Sequence, residues 1–230
     1  SFKGVFNLFE LNTFFSFFFS LFVILLFVNA HNFIDGSDGL LTSVSFLSSV
    51  SLALIFGING QILPAIHLAS LSAALLGFMI YNRPNAKIFM GDGGSLSLGY
   101  IFAIYSIQFI NIPESSQASW LGDPAIILAL FVVPLIDTLQ VFMKRVQSKQ
   151  SPFTPDRNHL HHLLGDIGVS KWGIILSLLS WTCFMIGLTF SLKLISFRSD
   201  IIILINLGLD LMMVKFLRKR ACFALSKAID

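Results

Sequence analysis

Between Glu10 and Asp35 the chain carries no formal charge, and the run FFSFFFSLFVILLFV fills the middle of that interval. An α-helix rises 1.5 Å per residue and the hydrocarbon core of a bilayer is about 30 Å thick, so about 20 apolar residues make a spanning helix. The pattern recurs. A second uncharged stretch, Gly39 to Asn82, is interrupted by Asn59-Gly60-Gln61 and divides into spans near 39–58 and 62–81. Further apolar segments fall near 95–112, 124–143 and 172–192, and a weaker one near 200–217 contains Asp210. Only 12% of the 230 residues are charged. A soluble domain carries about 25%, so the surface of a globular fold could not be clothed. A hydrophobic content of 55% excludes a disordered chain. The expected fold is therefore all-α: one domain over residues 1–230, a polytopic membrane bundle of about seven transmembrane helices. The first apolar run is not a signal peptide, because polar and acidic residues follow it where a small-residue cleavage site would stand. Two cysteines, Cys183 and Cys222, exclude a disulfide scaffold and a Cys-rich zinc site.

Seven spans place alternate loops on alternate sides. One side collects Arg83, Lys87, Lys144, Arg145, Lys149, Arg157, Lys171, Lys215, Arg218, Lys219, Arg220 and Lys227; the other keeps Lys3, Lys193 and Arg198. Basic residues accumulate on the cytoplasmic side, so the net charge of +3 belongs to membrane loops and implies no nucleic acid. The polar, Gly- and Asp-rich loops 29–39, 82–94 and 144–171 all fall on that basic side, which suggests a site there.

The first loop reads NAHNFIDGSDGL, with Asn32, Asp35 and Asp38 three residues apart, a spacing that gathers side chains on one face of a helical turn. Carboxylates at a membrane boundary cost several kcal/mol unless paired or metal-bound. A bland alternative is a solvated turn with an Asp capping the next helix. The second loop, YNRPNAKIFMGDGGSLSLGY, sets Asp92 among Gly91, Gly93 and Gly94 at the start of a span. Backbone N–H groups in such a turn favour phosphate. An acid beside a phosphate requires a bridging cation, and oxygen ligands suit Mg²⁺ or Mn²⁺. Phe89 offers an aromatic face to a base, or simply packs. The third segment, PLIDTLQVFMKRVQSKQSPFTPDRNHLHHLL, holds Asp137 inside a span and a cluster of Asp156, Arg157, His159, His161 and His162. Asp137 is a functional candidate by position, with Lys144 or Arg145 as ordinary partners. The histidines beside Arg157 suit an anion such as a diphosphate better than zinc. His67, in mid-span, reads as a hydrogen-bonded packing residue, and Asp210 as a residue that shortens the last helix.

Together, NAHNFIDGSDGL, FMGDGGSLSLG and PDRNHLHHL resemble the polyprenyl-phosphate N-acetylhexosamine-1-phosphate transferase family, and the HLHH form resembles its WecA-like branch. The resemblance implies transfer of N-acetylhexosamine-1-phosphate, GlcNAc-1-phosphate first among candidates, from a UDP-N-acetylhexosamine to a polyprenyl (undecaprenyl) phosphate lipid, with release of UMP. It implies a multi-pass enzyme of the cell membrane, its active site facing the cytoplasm, at the first step of a cell-envelope polysaccharide such as O-antigen. Carried over by position, Asn32 and Asp92 are metal or diphosphate ligands for Mg²⁺ or Mn²⁺. Asp35 orders the catalytic centre with Asp92 or handles a proton. Asp38, Asn82 and Phe89 surround the uridine, with Phe89 stacked on uracil. Arg157, His159, His161 and His162 hold the diphosphate or sugar phosphate.

Two departures from the family pattern stand out. Family members carry an Asp-Asp pair in an earlier cytoplasmic loop and about four more N-terminal helices; no adjacent acid pair occurs here, and Ser1 stands where Met would. The expectation is an N-terminally shortened copy. The competing expectations are an MraY-type phospho-N-acetylmuramoyl-pentapeptide transferase, an inactive fragment, and a transporter built on Asp137 and Asp210.

Overall fold

The computed structural model describes residues 11–112, 122–147 and 159–227. Among them the regular structure is entirely helical: α1 (Thr13–Ile34), α2 (Leu40–Ile58), α3 (Ile62–Asn82), α4 (Gly91–Ile110), α5 (Pro124–Leu130), α6 (Val132–Gln147), α7 (Leu160–Asp166), α8 (Lys171–Leu194) and α9 (Ser199–Lys227). The starts are written in the sequence. Asn12 accepts from Phe15 N–H ahead of α1, Asp123 from Ala125 N–H ahead of Pro124, and Ser170 from Gly173 N–H ahead of α8. The expected all-α membrane bundle is what forms, and the chain is a multi-pass membrane protein.

The span count differs from seven. Five helices, α1 to α4 and α8, are long and apolar enough to cross a bilayer, and α5 with α6 makes a sixth only as a broken pair bent by 82°. The apolar run 124–143 suggested a continuous helix. Pro134 explains the break. A proline has no N–H to give the carbonyl four residues back, and its ring crowds that carbonyl. The carbonyl concerned is that of Leu130, the last residue of α5, and Ser48 Oγ of α2 donates to it at 3.1 Å. A backbone group freed inside an apolar core is thereby satisfied by a neighbouring helix. The ninth helix is long, but Asp210, Lys215 and Arg218 lie within its 29 residues. Asp210 does not shorten it. Its carboxylate accepts from Trp181 Nε1 at 2.9 Å, and the helix continues for another 17 residues.

Two glycines fix how the helices meet. At Gly99 of α4 a Cβ would lie 2.6 Å from Phe27 O and Val28 Cα, so α4 crosses α1 backbone to backbone. Gly39 begins α2 at φ +73°, and a Cβ there would lie 3.2 Å from Asn82 O. These contacts draw the end of α1, the start of α2, the end of α3 and the start of α4 to one end of the bundle. Buried Phe27, Phe102, Phe109 and Phe131 fill the centre beneath them. His31 belongs to that core: it is fully buried, 5.3 Å from the Phe102 ring, with Nδ1 2.8 Å from Phe27 O. His67 bonds Tyr105 Oη at 2.9 Å, a packing role as expected.

Candidate active site at the polar end of the bundle

The end of α1 carries the site. The helix stops at Ile34, with Asp35 as its C-cap, so Asn32, Asp35 and Asp38 do not share one helical face. Asn32 and Asp35 turn to α4. Asn32 Nδ2 donates to Asp92 Oδ1 at 3.1 Å and to Ser95 Oγ at 3.0 Å, and Gly91 N–H donates to Asp35 Oδ2 at 3.0 Å. The two predicted catalytic acids therefore flank one point. Burial, together with the Asp92 carboxylate, pushes the Asp35 carboxyl up to about 6 against the pull of the Gly91 amide.

Asp38 turns the other way. Lys171 Nζ, at the start of α8, donates to its Oδ2 at 2.7 Å, and the backbone N–H groups of Asn85 and Ala86 approach the same oxygen at 3.2 and 3.5 Å. The hydrogen bond from Lys171 holds this carboxyl below its usual range, with the loop amides adding to the effect. Asp38 thus fastens loop 83–90 to α8 and does not cap α2, whose N-cap is Gly39 without a side-chain bond. Asn82 does similar work: it is buried, its Oδ1 accepts from Thr42 Oγ1 at 2.6 Å, and its Nδ2 donates to Ile88 O at 2.9 Å. One end of that amide ties α3 to α2, and the other holds the loop that presents Phe89. Phe89 itself is 68% exposed, the state an aromatic platform for a base needs.

The histidines approach from the opposite side. Helix α7 sets His161 against the turn, its Nε2 3.6 Å from where a Cβ on Gly36 would be. That nitrogen is buried with no hydrogen-bond partner among the described residues. Burial, with His162 alongside, lowers the His161 imidazole to about 4, so it is neutral at pH 7 in the ligand-free protein. His159 lies 5.7 Å from the His161 ring, His162 4.2 Å from it, and Phe33 of α1 6.1 Å from His159. Arg157, the fourth expected member, lies outside the described residues. The three motifs, far apart in sequence, meet around the 32–38 turn.

An apolar groove of about 550 Å³ leads to this end, with Phe22, Leu25, Leu135, Leu139 and Phe142 among its walls, and Phe33 and Arg145 also line it. The guanidinium of Arg145 sits 5.9 Å over the Phe33 ring. On the sequence alone, Arg145 reads as a loop charge and an ordinary partner for Asp137, and Lys171 as one of the basic residues of that side. By sequence neither has a role at the site, and only packing brings them there. Asp137 was visible as an intramembrane acid, but its partner is His159 and not Lys144 or Arg145.

The donors suit a hard divalent cation that shares its ligands with substrate. Among the described residues no three His, Cys, Asp or Glu groups are placed to hold a metal. What exists is Asp92 bonded to the Asn32 amide, with Asp35 held by the neighbouring Gly91 N–H. A hard cation such as Mg²⁺ binds through one or two carboxylates, keeps several waters and takes its remaining oxygens from substrate phosphates. Asp92 and Asp35 with Asn32 suit that sharing, once the Asn32 amide presents its oxygen instead of its N–H.

Comparison with known proteins bears on the family of the chain. The sequence pattern of glycosyl transferase family 4 matches residues 1–110. The chain is 34% identical over 169 residues to a decaprenyl-phosphate N-acetylglucosaminephosphotransferase of Mycobacterium tuberculosis, covering 67% of this chain and 42% of that protein. It is 36% identical over 171 residues to a probable undecaprenyl-phosphate N-acetylglucosaminyl 1-phosphate transferase of Bacillus subtilis, covering 74% and 45%. Identity is 31% over 161 residues to the undecaprenyl-phosphate alpha-N-acetylglucosaminyl 1-phosphate transferase of Escherichia coli K12, covering 68% and 42%. The chain spans less than half the length of each of these relatives.

Proposed function

The chain belongs to glycosyl transferase family 4, and on that footing we propose that it carries the donor-side centre of a membrane sugar-phosphate transferase. The reaction moves N-acetylhexosamine-1-phosphate, most simply GlcNAc-1-phosphate as in the names of its relatives, from a UDP-sugar to a polyprenyl phosphate. An oxygen of the lipid phosphate attacks the β-phosphorus of the UDP-sugar. The bond from that phosphorus to the oxygen bridging to UMP breaks, UMP leaves, and a lipid-linked diphospho-sugar stays in the membrane. The observation that carries this reading is the meeting of all three motifs around the 32–38 turn, at the mouth of an apolar groove.

Each residue then has a task. The face of Phe89 takes the uracil ring. Asp38, Asn82 and Lys171 hold loop 83–90 so that Phe89 stays presented; the donors on Asp38 all meet Oδ2, and Oδ1 is the atom that would accept from the base. The histidine helix with Arg157 holds the diphosphate. Asp92 and Asn32 would hold a divalent cation, Mg²⁺ or Mn²⁺, which would neutralise charge on the transferring phosphoryl group. Asp35 keeps the Gly91 turn in register with Asp92. The groove takes the isoprenoid tail and sets the lipid phosphate beside Arg145. The basic residues of the same loops support a cytoplasmic location for this end of the bundle.

Calorimetric titration of the purified chain tests the donor side. Phe89→Ala is expected to weaken UMP binding by about 1–3 kcal/mol, the cost of losing one base–aromatic stack, with unchanged thermal unfolding because the side chain is exposed. Equal UMP affinity in the two proteins would remove Phe89 from the site. Absence of binding by any uridine nucleotide would remove the reading.

A further inference from the structure

Asp137 is 1% exposed and sits in the second turn of α6, beyond the Pro134 break. A carboxylate at that depth must be fully engaged or it costs several kcal/mol. Both of its oxygens are engaged. Oδ2 accepts from His159 Nδ1 at 2.7 Å. Oδ1 accepts from Leu160 N–H at 2.6 Å and from Gln140 Nε2 at 3.0 Å. Gln140 is turned by α9, where Arg218 Nη2 donates to Gln140 Oε1 at 3.1 Å. These bonds have two consequences. The histidine helix α7 has no side-chain cap of its own at His159, and Asp137 supplies one from another helix by taking the Leu160 amide. An ionised carboxylate can only accept, so the proton of His159 resides on Nδ1. Any contact between His159 and a phosphate oxygen then goes through Nε2.

We infer that Asp137 is a positioning residue for the diphosphate-holding histidines: it anchors the start of α7, fixes the ring of His159 with Nδ1 protonated, and supplies the counter-charge that lets this ring act as an imidazolium donor to phosphate. The inference rests on the uridine-diphosphate reading of the site. Asp137 does not touch substrate or cation, because its acceptor positions face His159, Leu160 and Gln140. The arrangement parallels the carboxylates that orient histidines bound to metals or acting as bases, where the second nitrogen's partner sets the tautomer. It also gives the break at Phe131 a purpose. Because α6 departs from α5 by 82°, its second turn reaches the loop helix.

The test uses Asp137→Asn, which keeps the size and, through Oδ1, the cap on Leu160. It turns an NH₂ toward His159 Nδ1, so the neutral ring must carry its proton on Nε2, and the counter-charge is gone. Uridine and UDP are titrated separately into the wild-type chain, Asp137→Asn, His159→Ala and the double variant. Uridine reads the base pocket and the integrity of the fold; UDP adds the diphosphate. The expected result is a loss of roughly tenfold in UDP affinity for each single variant, with uridine affinity unchanged. The double variant should lose no more than His159→Ala alone, because residues acting as one unit are non-additive. Asp137→Glu, which retains the charge and the acceptors, should recover part of the UDP affinity.

Losses that multiply in the double variant would overturn the inference. So would UDP affinity left intact by Asp137→Asn in a wild type that binds UDP; the reading of the site would then stand without it. If every Asp137 variant lost uridine together with UDP, Asp137 would serve stability alone and the inference would fail. A wild type that binds neither uridine nor UDP would remove the reading, and the inference with it.

Discussion

The two ends of the bundle are both polar, and they spend their polar groups differently. At the end carrying residues 59–61 and 195–198, most polar groups among the described residues close on neighbours that suit them. Asp123 caps α5 through Ala125 N–H, accepts from Ser199 Oγ at 2.5 Å and pairs with Lys193. Arg198 pairs with Asp200, and Gln108 meets Gln61. Asn59 and Asn111 bond carbonyls of their own helices. At the other end two acids face one point, a buried histidine nitrogen has no partner among the described residues, and a phenylalanine lies open. Among the described residues one end is settled in the ligand-free protein, while the other leaves open groups of the kind a ligand engages. Unfavourable local arrangements of this kind are retained where function uses them.

The comparison breaks most visibly at Asp92. Asp92→Asn is expected to lower sugar-phosphate transfer by roughly 10²–10³-fold, the scale for removing one charge-stabilising group from a transition state. It should leave stability within about 0.5 kcal/mol, because the residue is exposed. Radiolabelled sugar transferred to extractable lipid, alongside thermal unfolding, measures both. An Asp92→Asn protein with turnover within a few-fold of wild type would sink the assignment. The converse experiment is Asp123→Ala. It removes a helix cap and strands the largely buried ammonium of Lys193, so a loss of about 3 kcal/mol in unfolding free energy is expected. UMP affinity should not change. A drop in UMP affinity without a drop in stability would mean that the two ends are not separable in the way described.

The sequence disclosed the two ends unequally. Uncharged runs bounded by Asn-Gly-Gln and by Gly- and Asp-rich loops located α1 to α4 and α8 closely, because hydropathy is a one-dimensional property. The motif turns were legible too, since carboxylates and glycines at span ends are unusual. Three things were not. The break at Phe131 hides in an apolar stretch whose composition still reads as a span; Pro134 is the signal, and its meaning depends on Ser48 being near to satisfy Leu130 O. The direction in which Asp38 turns depends on Lys171, 133 residues away. The commitment of Asn82 to Thr42 and Ile88 O likewise required α2 and α3 to be packed first. Residue type announced that these positions were polar and close to the site, but only tertiary contacts decide which of them face a ligand.

The smallest expected effect is the sharpest check on the contrast, because it turns on two acids three residues apart. The Asp35 carboxyl is raised to about 6, so the ligand-free fold favours its protonated form. Its burial penalty is fully present above about pH 6 and is relieved as pH falls from there toward 4, so this group makes the ligand-free protein more stable across that interval. Asp38 is held below its usual range by Lys171; what it contributes is present at neutral pH and is lost only on acidification below the ordinary carboxylate range. The two windows do not overlap. Asp35→Asn keeps an acceptor for the Gly91 amide and removes the penalty. It is therefore expected to stabilise the ligand-free protein at pH 7.5 by about 1 kcal/mol or less, once solvent screening of a half-exposed group is counted, and to give no gain at pH 4. Transfer activity should fall in the same variant. Thermal unfolding of both proteins at the two pH values, without divalent cation, measures the difference. A variant less stable than wild type at pH 7.5 would place Asp35 among the groups that hold the fold together, and the division between a settled end and a waiting one would have to be redrawn there.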